Sequence, residues 1–261
     1  MTDMSNIQDR LQQLFPTHYR SGKILLINAD CMDVMAHIKD GEFELACVDP
    51  PYGIEKEISV GGGSHTKSLV KFDCLYSENH KKWDIKPPLE YFIELQRVCH
   101  DYIICGGNYF ADMLPASRGW AIYDKVTDGV TCVNPELIYT SMHVACKIFR
   151  RPQGLNNGFL NKEGRNIHPT QKPYQLYQWL LTNYAKQGQT ILDTHLGSGS
   201  SAIAAHKMGF EFVGVELDSD YFQAACARFD LHKMQGSLFS PYVPDVPRDV
   251  YEQVDFMKNK D

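Results

Sequence analysis

No apolar run in the chain approaches the roughly 20 residues that cross a bilayer as a helix, and no two cysteines stand in a CxxC spacing. The first absence excludes a helical membrane protein, and the second removes the usual zinc-ribbon and dithiol motifs. The eight cysteines are Cys31, Cys47, Cys74, Cys99, Cys105, Cys132, Cys146 and Cys226, several of them inside apolar runs. A thiol there packs as a small hydrophobe, so reduced, metal-free cysteines are expected. An excess of base is also missing: 26 Lys and Arg face 32 Asp and Glu, a formal net charge of −6. That excludes a protein that coats nucleic acid indiscriminately, because such binding rests on neutralising phosphates, yet it leaves room for a local basic surface. Met1 to Arg10 carries no signal-peptide pattern, and neither internal repeats nor a clear linker are found. With 43% hydrophobic and 22% charged residues the chain is neither disordered nor fibrous. A single domain over residues 1–261, cytoplasmic and without membrane or metal partners, is the expectation.

Within that frame, strand-like apolar runs alternate with helical patterns. Lys23–Asn28, Glu44–Val48, Tyr102–Cys105, Trp120–Tyr123, Leu137–Met142, Thr190–Leu192 and Phe212–Val215 read as strands. Asn6–Phe15, Asp30–Ile38, a segment from Pro88, Pro173–Tyr184, Ser200–Met208 and Ser219–Phe229 read as helices. Such alternation predicts an α/β fold with a doubly wound, mostly parallel sheet of seven strands, covered on both faces and ending in a terminal antiparallel strand. Residues 54–83, rich in Gly, Ser, Lys and His, form a long segment expected to be a mobile loop on the substrate side. Residues 235–261, punctuated by Pro241, Pro244 and Pro247, read as a docked tail.

Two loops carry chemistry. Gly197-Ser198-Gly199-Ser200-Ser201-Ala202 follows a strand and opens a helix, and Glu216 closes the next strand. Taken alone this matches G-x-G-x-x-A, in which glycines let the backbone approach a ligand and a carboxylate accepts ribose hydroxyls. A dinucleotide fold needs several further strands after this unit, but only one strand and one helix remain. The sheet must therefore be completed from earlier in the chain, as in a circularly permuted Rossmann-like order.

The second loop, Asp49-Pro50-Pro51-Tyr52, ends a strand in the N-terminal half. Its prolines fix φ and remove two backbone donors, leaving carbonyls to accept from a ligand. An acceptor pair beside an aromatic face suits a planar ring with an exocyclic amine, a group reached in a duplex only by flipping the base out. In an open α/β sheet both loops lie at the carboxyl edge, where ligands bind.

Three segments in this order, Asp49-Pro50-Pro51-Tyr52, His168-Pro169-Thr170-Gln171-Lys172-Pro173 and Asp193-Thr194-His195-Leu196-Gly197-Ser198-Gly199, resemble the β-class amino-methyltransferases of DNA. The resemblance runs from about Lys23 to Phe229. It implies S-adenosylmethionine as cofactor and double-stranded DNA as partner. It further implies that Asp49 and the Pro50 carbonyl bind the target amine, with Pro51 shaping the loop and Tyr52 stacking on the base. Asp30 would contact the cofactor's adenine amine, with Cys31 and Leu217 beside it. Gly197, Ser198 and Gly199 would line its methionine part above Asp193, Glu216 would bind the ribose, and His168, Thr170 and Lys172 would pack near the cofactor and its carboxylate. Thr194-His195 stands where the family commonly has Pro-Phe, so His195 would replace an aromatic neighbour of the cofactor.

The same resemblance favours N6-adenine over N4-cytosine, because Asp rather than Ser opens the first loop. Carbon-5 cytosine chemistry needs a Pro-Cys nucleophile that the sequence does not contain. Methylation of RNA or protein amides, and a silent cofactor-binding module, are the competing readings; the intact Asp-Pro-Pro-Tyr loop disfavours the last. Between Ser141 and Lys172, six basic residues stand against Glu163 alone. Residues 143–167 are the expected short target-recognition segment, with Lys147, Arg150, Arg151 and Arg165 on DNA. So short a segment suggests a short target site or a homodimer that shares recognition.

Overall fold

The computed structural model describes residues 6–53, 84–126, 135–151, 167 and 171–234. The described strands are β1 (His18–Ser21), β2 (Ile24–Asn28), β3 (Phe43–Val48), β4 (Cys99–Cys105), β5 (Trp120–Asp124), β6 (Glu136–Thr140), β7 (Lys147–Arg150), β8 (Thr190–Asp193) and β9 (Glu211–Glu216). The helices are α1 (Ile7–Leu14), α2 (Cys31–Ala36), α3 (Leu89–Val98), α4 (Tyr174–Tyr184), α5 (Ser200–Met208) and α6 (Ser219–Met234).

All nine strands join one sheet in the order β1-β2-β9-β8-β3-β4-β6-β5-β7. Its centre, β2-β9-β8-β3-β4, is wholly parallel. These strands read as unbroken apolar runs because both faces are covered. Alternate residues go to opposite sides: Ile24, Leu26, Leu45 and Cys47 pack with α4, α5 and α6. Leu25, Ile27, Ala46 and Val48 pack with α1, α2 and α3. The doubly wound, mostly parallel α/β expectation therefore holds.

The strand count and the antiparallel part differ from expectation. Among the described residues the sheet has nine strands rather than seven. One addition is β1, whose polar sequence His-Tyr-Arg-Ser offers no apolar alternation; it pairs antiparallel with β2 across a tight turn in which Gly22 takes φ +57°. The other is β7, Lys-Ile-Phe-Arg, a charged edge strand parallel to β5 that reads in sequence as part of a basic loop. Antiparallel pairing is not confined to one terminal strand, because β6 runs antiparallel to both β4 and β5.

Parallel register sets the site. Asn28 lies level with Glu216, and Asp193 with Gly214. The carboxyl ends of β2, β9, β8 and β3 thus deliver Asp30, Glu216, the Asp193–Gly199 loop and Asp49 to one edge of the sheet. The glycine loop comes from the C-terminal third of the chain and the Asp49 loop from the N-terminal third. Residues 54–83, 152–166 and 235–261, together with His168 and Thr170, lie outside the described residues, as do Cys74, Cys132 and Arg165.

Candidate active site

Local sequence shapes the glycine-loop half of this edge. Gly199, at φ +74°, turns the chain from the β8 loop into α5. A left-handed backbone there suits glycine, and an added Cβ would also crowd Ala225 at 3.3 Å. Glu216, closing β9, accepts the Gly197 N–H through Oε2 at 2.8 Å and the Asp218 N–H through Oε1 at 3.0 Å. A carboxylate has about four acceptor positions, so one on each oxygen remains for a ligand. Burial raises the Glu216 carboxyl pKa to about 6. Asn28, which sequence reading passed over, fixes the next turn by donating to the Glu216 and Leu217 carbonyls at 2.8 and 3.0 Å. Leu217 itself is 69% exposed, an apolar rim beside the carboxylate.

Asp193 is fully buried at the end of β8. It accepts the His195 N–H at 3.0 Å and the Ser201 hydroxyl at 2.5 Å, and burial pushes its carboxyl up to about 7. Asp30 caps α2 by accepting the Met32 N–H at 2.8 Å, and burial pushes the adjacent Cys31 thiol up to about 12. That cysteine is a packing thiol rather than a nucleophile. The His195 ring meets Tyr91 edge-on at 5.1 Å. Thr194 Oγ1 lies 3.0 Å from His195 Nδ1 and 2.6 Å from the Tyr91 hydroxyl. Burial lowers the imidazole pKa to about 4, so the ring is neutral.

An arginine not foreseen from sequence braces the glycine loop. Arg228 of α6 is buried and donates to the Ser198 carbonyl at 2.7 Å and the Ser200 hydroxyl at 2.9 Å. Ser200 in turn donates to the Lys172 carbonyl at 2.7 Å. The glycine loop is thereby tied to the segment that enters α4, and that segment carries Lys172 into the second half of the site.

There Lys172 sets its ammonium on the Asp49 loop. Lys172 is buried, and Nζ donates to Asp49 Oδ1 and Oδ2 at 2.7 and 2.6 Å and to the Tyr52 hydroxyl at 3.0 Å. Burial alone would lower its pKa, but the carboxylates of Asp49 and Glu136 outweigh burial and raise it well above the usual lysine range. Tyr52 donates its hydroxyl to Asp49 Oδ1 at 2.8 Å, and burial, helped by the Asp49 charge, keeps the phenol neutral.

The Tyr52 ring stacks on Tyr109 with centroids 4.7 Å apart and planes at 17°. Gly106, at φ +67°, makes room for it, since a Cβ there would sit 2.3 Å from the ring. Glu136, opening β6, lies 3.3 Å from Lys172 Nζ through Oε2 and 2.5 Å from Lys125 Nζ through Oε1. Burial would raise the Glu136 pKa, but the two lysines more than offset that and lower it. Neither Tyr109 nor Glu136 was foreseen: one lies in a short turn after β4, the other reads as the polar start of an apolar strand.

The basic segment is less uniform than its sequence. Lys147 turns inward, donating to Asn183 at 2.8 Å, with its ammonium 5.4 Å from the Tyr184 ring centre. Arg150 is exposed and pairs with Asp124 at 2.9 Å. Arg151 is partly buried, and its backbone N–H donates to the Asp124 carbonyl at 3.0 Å. Among the described residues no cluster of His, Cys, Asp or Glu is arranged to hold a metal, and no helix is long and apolar enough to cross a membrane.

Comparison with known proteins supplies the context for this geometry. Residues 145–227 match the DNA methylase family of N6 and N4 methyltransferases. The chain is 22% identical over 258 residues to the type II methyltransferase M2.DpnII of Streptococcus pneumoniae, covering 82% of this chain and 92% of that protein. It is also 22% identical to the type II methyltransferase M2.LlaDCHI of Lactococcus lactis subsp. cremoris, covering 82% of this chain and 91% of that protein. In fold it is similar to M1.HpyAVI, solved as a SAM complex, at a TM-score of 0.51 with 18% identity over 78% of this chain and 99% of that one. The cytosine-N4-specific PvuII DNA methyltransferase is similar at a TM-score of 0.56, with 10% identity over 92% of this chain and 96% of that one. The sheet edge, its two loops and these similarities converge: the chain is similar, in its matched segment, in its curated relatives and in its fold, to the S-adenosylmethionine-dependent DNA amino-methyltransferases.

Proposed function

We propose that the protein methylates the exocyclic N6 amine of an adenine flipped out of double-stranded DNA. The observation that carries this reading is the neighbouring of the Asp49–Tyr52 loop and the glycine loop at one sheet edge, joined through Ser200 and the Lys172 backbone. The donor set fits the cofactor. Two free acceptor positions on Glu216 match a ribose diol, the Gly197–Gly199 turn leaves room for close approach, and Leu217 offers an apolar rim. Asp30 stands at the adjacent strand end for the adenine amine. His168 and Thr170 are assigned to the cofactor side on the family resemblance. When bound, S-adenosylmethionine supplies a methyl group on an electron-poor sulfonium.

The remaining work falls to the chain. An aromatic amine is a weak nucleophile because its lone pair is delocalised into the ring. Hydrogen bonds from the amine to Asp49 and the Pro50 carbonyl favour a pyramidal nitrogen and aim its lone pair. Pro51 holds the loop, and Tyr52, backed by Tyr109, provides the stacking surface. Rate then comes from positioning and from acceptors fixed in advance. Asp49 in place of serine favours adenine over cytosine on the same resemblance; the fold alone does not decide between them. In the Asp49→Ala variant, methyl transfer to DNA is expected to fall below detection while the calorimetric affinity for S-adenosylmethionine stays within about threefold, a kcat-type loss. Unchanged turnover would remove the assigned role.

Arg150, Arg151 and Arg165 within residues 143–167 are the proposed phosphate contacts, with residues 54–83 on the substrate side. Lys147, occupied by Asn183, is assigned to holding β7 against α4. Such a short recognition segment favours a homodimer on DNA. A light-scattering mass equal to one chain at every concentration, with and without DNA, would contradict it. A DNA substrate places the enzyme with the bacterial or phage genome, in the cytoplasm.

A further inference from the structure

Hydrogen-bond counting at the Asp49 loop leaves one buried acceptor unexplained. The Lys172 ammonium has three N–H donors. All three are spent, on Asp49 Oδ1, Asp49 Oδ2 and the Tyr52 hydroxyl. Glu136 Oε2, 3.3 Å from the same nitrogen, therefore receives a charge contact but, among the described residues, no hydrogen bond, and it is buried. A carboxylate oxygen held without a hydrogen bond beside an ammonium is costly unless something uses it. The four charges form a balanced row, Asp49–Lys172–Glu136–Lys125, across the ends of β3, β6 and β5 and the entry to α4.

Resting on the proposed amine transfer, we infer that Lys172 and Glu136 form a hand-over pair that positions Asp49 for the target amine. In the free enzyme Lys172 holds both oxygens of Asp49. When the amine arrives, one of its N–H groups takes Asp49 Oδ2, and the Lys172 N–H released there turns to Glu136 Oε2. Asp49 keeps its orientation through Oδ1, to which Lys172 and Tyr52 still donate. Every N–H and O–H then has an acceptor before and after, and no charge is stranded. Lys172 and Glu136 are positioning residues: they act on the amine through Asp49. The backbone tie from Ser200 to the Lys172 carbonyl places this pair under the same loop that lines the cofactor site.

The test measures single-turnover methyl transfer to DNA and calorimetric cofactor affinity for the wild type, Lys172→Met, Glu136→Gln and the double variant. Lys172→Met is expected to lose about 100-fold in the transfer rate with cofactor Kd within about twofold, and Glu136→Gln about tenfold, in the range for preorganised charge at a reacting group. The double variant is expected to be no slower than Lys172→Met, because Glu136 has nothing to receive once Lys172 is gone. A Lys172→Met defect confined to cofactor Kd, losses that multiply in the double variant, or an unchanged Glu136→Gln rate would each overturn the hand-over. Should Lys172→Met fail to fold, the Glu136→Gln rate decides alone. A wild type that methylates no DNA defeats the underlying function instead, so the two failures are separable.

Discussion

Glu216 is the residue at which environment and chemistry meet most quantitatively. Burial lifts its carboxyl to about 6, while two backbone N–H groups hold its oxygens. Above that value it is ionised and keeps an acceptor position on each oxygen for a diol. As pH falls through about 6 it gains a proton and loses acceptor capacity. Affinity for S-adenosylmethionine is therefore expected to weaken below pH 6, approaching about tenfold per pH unit. Calorimetric titrations between pH 7 and 5 check this against Glu216→Gln, in which the Glu216-linked part of the pH dependence is lost. Identical slopes in the two proteins would contradict it. Residues of this kind are legible in the sequence because each closes or follows a strand and borders a motif: Asp193 and Glu216 end β8 and β9, and Asp49 and Tyr52 follow β3. Glu136, Tyr109, Tyr91 and Arg228 are not legible there, because their roles depend chiefly on partners distant in sequence, such as Ser200 for Arg228 (28 residues away) and His195 for Tyr91 (104 residues away), and no local pattern encodes such contacts.

At the scale of elements, legibility followed burial. The central strands are apolar on both faces, so Ile24–Asn28 and Phe43–Val48 differ from their predicted limits by one residue at the start, and Glu211–Glu216 by one residue at each end. The helix Ser200–Met208 has the ends that the sequence predicts, because Gly199 and Gly209, both at positive φ, bracket it. β1 and β7 escaped notice because short edge strands carry polar and charged side chains, which suppress the alternation that identifies a strand. β7 has a functional consequence. By pairing with β5 it draws Lys147 inward and sets Arg150 against Asp124, so a run of bases that looks uniform in sequence faces in different directions. The loop ties matter equally: α6 braces the glycine loop through Arg228, and that loop holds the Lys172 segment through Ser200.

For the whole molecule, a net charge of −6 and a DNA substrate are compatible because the binding chemistry is local. The site edge assembles its own balanced row of two carboxylates and two ammonium groups, Asp49, Lys172, Glu136 and Lys125. The chain order, Asp49 loop early and glycine loop late, still brings both loops to one edge, since strand order in the sheet and not order in sequence decides proximity. Delivery of a methyl group to an exocyclic base amine at that edge is the central claim. The direct measurement incubates the protein with S-adenosylmethionine labelled in its methyl group and unmodified double-stranded DNA, then digests the DNA to nucleosides and separates them. Label is expected in N6-methyldeoxyadenosine; label in N4-methyldeoxycytidine would overturn the choice of base, and DNA that remains unlabelled while RNA or protein takes up the methyl group would contradict DNA as the substrate.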